Sequence, residues 1–133
     1  MANEHILFYD LENQIPFTVA DGTAITKGAV LVLTDPMTAA TAGVAVSGGI
    51  VAGVAGSEKI ASDGVTKLGV YRGGIFKATC SGAVTAGDAL VQWGNFISSA
   101  AINAETLIGT AFETGAHGET IFYELKPITF NLA

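Results

Sequence analysis

A chain of 133 residues, half of them hydrophobic and only 14% charged, carries enough apolar material for one folded core and too little charge for a disordered tail. Its net charge of −6 leaves six Lys and Arg residues scattered from Lys27 to Lys126, with no basic stripe to grip a phosphate backbone, so nucleic acid is excluded as a partner. With Cys80 as its single cysteine, the chain forms neither an intrachain disulfide nor a thiolate zinc site.

Residues 1–15 read as an extended N-terminal arm. It holds Ile6, Leu7, Phe8, Tyr9, Leu11 and Ile15 among the acids Glu4, Asp10 and Glu12. Met1 to His5 lacks the basic start and apolar run of a signal peptide, which predicts synthesis in the cytosol and exit only by lysis. An apolar terminus is either folded back or docked on a neighbour.

From there β-branched residues and glycine turns dominate, and an all-β fold is expected. Strands are predicted at Phe17–Ala20, Ala29–Thr34, Val44–Val46, Ile50–Ala55, Val65–Arg72 and Ile75–Thr79. Four more are predicted at Ala89–Trp93, Phe96–Ser98, Leu107–Phe112 and Thr120–Lys126, and Glu58–Ser62 allows one helical turn. Gly73-Gly74 and Gly94-Asn95 are marked as two-residue hairpin turns. Asp35-Pro36, Asp63-Gly64 and His117-Gly118 are further turn signals. No charge occurs between Asp35 and Glu58, long enough for a membrane span, but Pro36, Gly48-Gly49 and Gly53 interrupt a run of small residues. That composition reads as a buried β segment, with no membrane contact.

An internal echo organises the chain. Phe17 to Val32 aligns without gaps to Phe76 to Val91, pairing Ile25 with Val84, Gly28 with Gly87 and Leu31 with Leu90. Val51-Ala52-Gly53-Val54-Ala55 echoes Leu107-Ile108-Gly109-Thr110-Ala111. Two such strand–turn–strand–hairpin–strand units, facing each other, would close a small barrel-like core. The organisation expected is an arm (1–15), a single β domain with an internal pseudo-repeat (16–126) and an apolar C-terminal tail (127–133).

Catalytic chemistry finds little to build on. The histidines are His5, in the arm, and His117, in a Gly-Ala-His-Gly turn, and no Gly-x-Ser-x-Gly elbow is present. Cys80 reads as a small buried side chain rather than the partner of His117. Asp10 and Glu12 lack a third ligand, and Glu113, Glu119 and Glu124 read as acids on a solvated strand face, so no metal site is expected. Gly53 to Lys59 has the wrong spacing for a phosphate loop. A lipoyl- or biotinyl-type domain would need a lysine at a hairpin tip, and neither marked hairpin carries one. No cofactor is expected. Trp93, Tyr71, Phe76, Phe96, Phe112, Phe122 and Tyr123 read as core.

One ordered set of segments resembles a known family. Gly69-Val-Tyr-Arg-Gly-Gly-Ile-Phe-Lys-Ala-Thr, then Val84-Thr-Ala-Gly-Asp-Ala-Leu-Val, then Leu107-Ile-Gly-Thr-Ala-Phe-Glu, then Thr120-Ile-Phe-Tyr-Glu-Leu is similar to the capsid decoration (cement, head-stabilising) proteins of tailed bacteriophages. The resemblance spans roughly residues 17 to 126, and it rests on the order and spacing of motifs that are individually common in β turns. It implies a non-enzymatic virion protein, made in the host cytoplasm, that binds the outer capsid surface and clamps neighbouring major capsid proteins, commonly as a homotrimer. The longer apolar arm and the tail depart from the family pattern. On this reading Ile6, Leu7, Phe8 and Tyr9 are the candidate capsid-binding residues. The alternative is a β-rich carbohydrate-binding or adhesion module of a phage tail or cell surface, which would present an exposed aromatic platform.

Overall fold

In the computed structural model, residues 4–9, 14–34, 36–41, 51–93, 95–99 and 106–129 are described, and among them the backbone forms strands and no helix. The predicted strand Val44–Val46 lies outside the described residues, as do Asp10, Glu12 and the end of the chain from residue 130.

The strands of the first half are β1 (Ile6–Tyr9), β2 (Ile15–Thr18), β3 (Val30–Thr34), β4 (Thr38–Thr41), β5 (Val51–Ala55) and β6 (Lys67–Tyr71). Those of the second are β7 (Gly74–Thr79), β8 (Ala89–Trp93), β9 (Phe96–Ser99), β10 (Thr106–Ala111) and β11 (Thr120–Thr129). Strands β2-β4-β3-β5-β6 close into a barrel, sealed by a parallel contact between Thr18 and Thr38. The other sheet has the order β1-β7-β11-β10-β8-β9. Its far strand β9 curls back toward the end of β7, where Cys80 and Ile97 form an isolated parallel bridge. Each half of the sequence repeat therefore curls on itself, rather than facing the other half to make one shared barrel.

The repeat is visible bond by bond. Ile25 exchanges two backbone hydrogen bonds with Lys59, and Val84 exchanges two with Gly115. Gly28 N–H donates to the Ala55 carbonyl at 2.9 Å, and Gly87 N–H to the Ala111 carbonyl at 2.8 Å, with φ of 88° and 91°. A β-carbon would be strained at such angles, which is why glycine occupies both turns. The match continues beyond the echo read from sequence: Ser62 N–H donates to the Asp21 carbonyl, and Gly118 N–H to the Cys80 carbonyl. Gly53 and Gly109 face Leu31 and Leu90 in the same register. A β-carbon at either would collide with a backbone carbonyl oxygen, of Tyr71 or of Glu124.

Several local expectations are corrected. Gly73-Gly74 does not turn a hairpin: β6 and β7 belong to different sheets, so this pair carries the chain from one unit to the other. The hairpin expected after Trp93 is present, with β8 antiparallel to β9 and Trp93 opposite Phe96. Asp35 lies outside the described residues; Pro36 and Met37 turn into β4, a strand of Thr and Ala too short to read from its apolar pattern. Residues Glu58–Ser62 form no helical turn, because Lys59 is pinned to Ile25 as a bridge. The C-terminal strand runs through Pro127 to Thr129, pairing Ile128 with Leu107. Within the uncharged stretch, all five residues of β5 are buried.

Two apolar clusters result. Phe17, Val19, Ile25, Leu31, Leu68 and Val70 fill the first barrel. The second cluster centres on Phe76, Leu90, Ile97, Ile108, Ile121, Tyr123 and Leu125, and it also takes in Val30, Val51 and Val54 from the first unit. The two units thus share one apolar seam.

Candidate interaction surface

The described part of the arm, from Glu4 to Tyr9, is not free. Strand β1 lies antiparallel along β7, with Ile6 opposite Lys77 and Leu7 opposite Phe76, and a bulge falls between Leu7 and Tyr9. Side chains alternate across a strand, so the four arm residues separate. Leu7 turns inward against the second core. Ile6 and Phe8 stay 62% and 66% exposed. Tyr9 contributes a backbone position opposite Ile75.

What fixes the arm is His5, which the sequence offers only as one histidine in the arm. The imidazole is buried. Its Nε2 donates to the Asn95 carbonyl at 2.8 Å, leaving Nδ1 to accept from the Tyr123 hydroxyl. Its backbone N–H donates to Gly28 at 2.7 Å, and the Asn95 side chain accepts from Val30 N–H at 2.9 Å. One residue therefore ties β1, the β8–β9 turn, β11 and the first unit together. Burial lowers the His5 pKa from its ordinary 6.5 to about 4, against a smaller raising effect of the Asn95 hydrogen bond, and burial pushes the Tyr123 hydroxyl well above its ordinary range.

Across the outer face of the sheet, directly paired residues form one row. Ile6 faces Lys77, Lys77 faces Phe122, and Phe112 N–H donates to the Phe122 carbonyl. Phe8 packs its ring 4.7 Å from that of Phe122, and the Lys77 ammonium sits 5.4 Å over the Phe122 ring. Phe112 is 48% exposed. Clustered exposed apolar side chains of this kind mark interaction sites in soluble proteins. Of the aromatics assigned to the core, Phe76 and Tyr123 are buried, whereas Phe112 and Phe122 belong to this outer row, because register puts them on the same face as Lys77.

The remaining candidates for chemistry are held in structural roles. His117 is exposed, and its Nδ1 accepts from Gly82 N–H at 2.9 Å. Cys80 is buried; burial and then the Glu119 charge raise its pKa, opposing thiolate formation. Glu113 and Glu119 do more than cover a solvated face: their carboxylates accept from the N–H groups of Phe122 and Ala116. Among the described residues no three His, Cys, Asp or Glu side chains gather to hold a metal ion.

The first unit carries a buried cation instead. Lys59 Nζ donates to the Asp21 carbonyl at 2.7 Å and the Ile60 carbonyl at 3.1 Å, and pairs with the carboxylates of Asp63 at 2.9 Å and Asp21 at 3.4 Å. Burial alone would lower its pKa; the hydrogen bonds and charges of the two aspartates outweigh that and raise it. Asp63 moves the other way, lowered first by the Val65 N–H and then by Lys59. Lys59 stands where the second unit has Gly115, and Asp21 where it has Cys80.

A groove of about 450 Å³ runs beside β1, lined by Glu4, His5, Ile6, Leu7, Lys27 and Tyr71.

No family model and no curated protein matches the chain. Among solved structures it is similar to the crystal structure of the N base of head fiber gp8.5 of bacteriophage phi29, with a TM-score of 0.58 and 15% identity over 90% of this chain and 99% of that one. At that identity the likeness is one of fold, and it takes in both units: the protein has the architecture of that head fiber base.

Proposed function

We propose that the protein is a non-enzymatic structural component of a tailed-phage virion. In this reading it binds the outer surface of the capsid and clamps neighbouring major capsid proteins, acting as a homo-oligomer with a trimer favoured. The observation that carries the proposal is the fold shared, over nearly the full length of both chains, with the base of a phage head fiber. The order of motifs similar to capsid decoration proteins supports the same class. The outer row of Ile6, Phe8, Phe112 and Phe122 supplies an apolar contact area, and many identical sites on a shell would multiply a modest affinity per copy when an oligomer spans several of them.

Deleting the arm is a poor test, because His5 and Leu7 belong to the core. The double substitution Ile6→Ser with Phe8→Ser changes only exposed side chains. It removes the Phe8–Phe122 ring contact but keeps the core contacts of His5 and Leu7, so it is expected to lower the melting temperature by only a few degrees and to abolish co-sedimentation with heads purified without this protein. Unaltered co-sedimentation would remove β1 from the contact. The exposed rings of Phe8 and Phe112 are the one support for the adhesion reading, and saturable glycan binding lost in Phe8→Ser would favour it instead.

A further inference from the structure

Strand β1 is held to the second unit by little apolar packing. Of its described side chains only Leu7 turns into the core; Ile6 is exposed, and Phe8 rests on the Phe122 ring from outside. Its pairing with β7 is short and broken by the bulge after Leu7. The deepest contact belongs to the residue just before the strand. The His5 ring is buried, meets the Tyr123 ring edge-on at 5.3 Å, accepts from the Tyr123 hydroxyl and donates to the Asn95 carbonyl. That arrangement needs a neutral imidazole with a lone pair on Nδ1. The titratable groups about it are Glu4 on its own segment, Lys27 on the turn before β3, Tyr71 on β6 and Tyr123 on β11. On β7 the nearest is Lys77, opposite Ile6, whose ammonium lies over the Phe122 ring. The β8–β9 turn meets the ring with a backbone carbonyl. Among the described residues no carboxylate forms an ion pair with the imidazole, so nothing there holds its charged form.

We propose that His5 is an acid-operated latch: a proton taken from solvent releases β1 from β7 while the two units stay folded. The imidazolium carries hydrogen on both nitrogens. Nε2 keeps the Asn95 carbonyl, but Nδ1 loses its lone pair and turns a hydrogen toward the Tyr123 hydroxyl. A buried charge without a counter-ion also favours the conformation in which the ring reaches water. Moving the arm out hydrates the ring and gives up one inward side chain, Leu7, the Phe8–Phe122 contact and a short ladder. Burial holds the docked ring at about 4, against 6.5 in water, so the arm-opening equilibrium rises about a hundredfold between pH 7.5 and 4. Ile6 and Phe8 leave the outer row with the arm. The latch stands whether or not that row docks on a capsid.

The test is amide hydrogen exchange of the full chain, followed by NMR from pH 7.5 to 4, each rate corrected for its intrinsic pH dependence. Ile6 and Lys77, paired across β1 and β7, report arm opening. Phe112 and Ala55, bonded to the Phe122 and Ala29 carbonyls, report the two units. Protection at Ile6 and Lys77 is expected to lie below that at Phe112 and Ala55 at every pH, and to fall about a hundredfold as His5 titrates. His5→Gln keeps a donor for Asn95 and an acceptor for Tyr123 without titrating, and should flatten the fall to about threefold or less. Glu4→Gln should leave the fall in place. Arm amides protected as well as those of the two units, an undiminished fall in His5→Gln, or its loss in Glu4→Gln would overturn the latch. The wild-type comparison and Glu4→Gln decide the question even where His5→Gln fails to fold.

Discussion

At the scale of single residues, the fold depends on polar side chains that apolar patterning does not see. His5 carries the clearest measurable consequence. Folded, its pKa is about 4; unfolded it returns to about 6.5, so below that value the unfolded chain takes up the proton first. The His5 contribution is fully present above pH 6.5 and is lost as pH falls toward 4, to a total of about 3 kcal/mol. Protonating Nδ1 also sets a second donor against the Tyr123 hydroxyl. Urea midpoints measured from pH 7.5 to 4 should fall more steeply for the protein than for His5→Gln; parallel curves would contradict the assignment. Gln92 is the opposite case. Its side chain is buried with neither amide atom hydrogen-bonded, and its repeat counterpart is Leu33. An unsatisfied buried amide costs about 1–3 kcal/mol, so Gln92→Leu is expected to stabilise the protein, and a lower urea midpoint would show that the amide has a partner in solution.

At the scale of elements, the strands of the second unit were legible because their alternation is strong: β7 follows a buried-then-open pattern through all six residues, and β8 begins and ends where its apolar run does. The repeat was legible because turn glycines and their anchoring Ile25 and Val84 must recur when a backbone path recurs. Strand β4 was not, since Thr and Ala carry little periodic signal, and β1 was not, since its partner β7 is some seventy residues away. Nor does composition reveal that Gly73-Gly74 joins two sheets: a glycine pair specifies available backbone angles, not which strands then pair. The outer row was half legible. Ile6 and Phe8 were named from the arm, but Phe112 and Phe122 join them only through strand register. The glycines under the crossing strands give an element-scale prediction. Gly109→Ala places a β-carbon on the Glu124 carbonyl and should cost several kcal/mol, as misfit in a packed interior does, whereas Ala at the open Gly82 should cost about 1 kcal/mol from backbone angle alone. Thermal melts of the two variants compare them directly, and equal losses would refute the close approach.

At the scale of the whole molecule, two curled units behave as one body because Val30, Val51 and Val54 of the first are embedded in the core of the second, and His5 fastens the arm across both. Calorimetry should therefore record a single transition with equal calorimetric and van't Hoff enthalpies, and two separable transitions would contradict the shared seam. On the outside, Ile6 belongs both to the apolar row and to the lining of the groove beside β1. The most direct test of the central claim, that this is a structural virion protein, is a quantitative protein gel of purified particles from a phage that encodes the chain. The account predicts a 13.5 kDa band at an amount comparable to the major capsid protein. Particles that lack the band would contradict it.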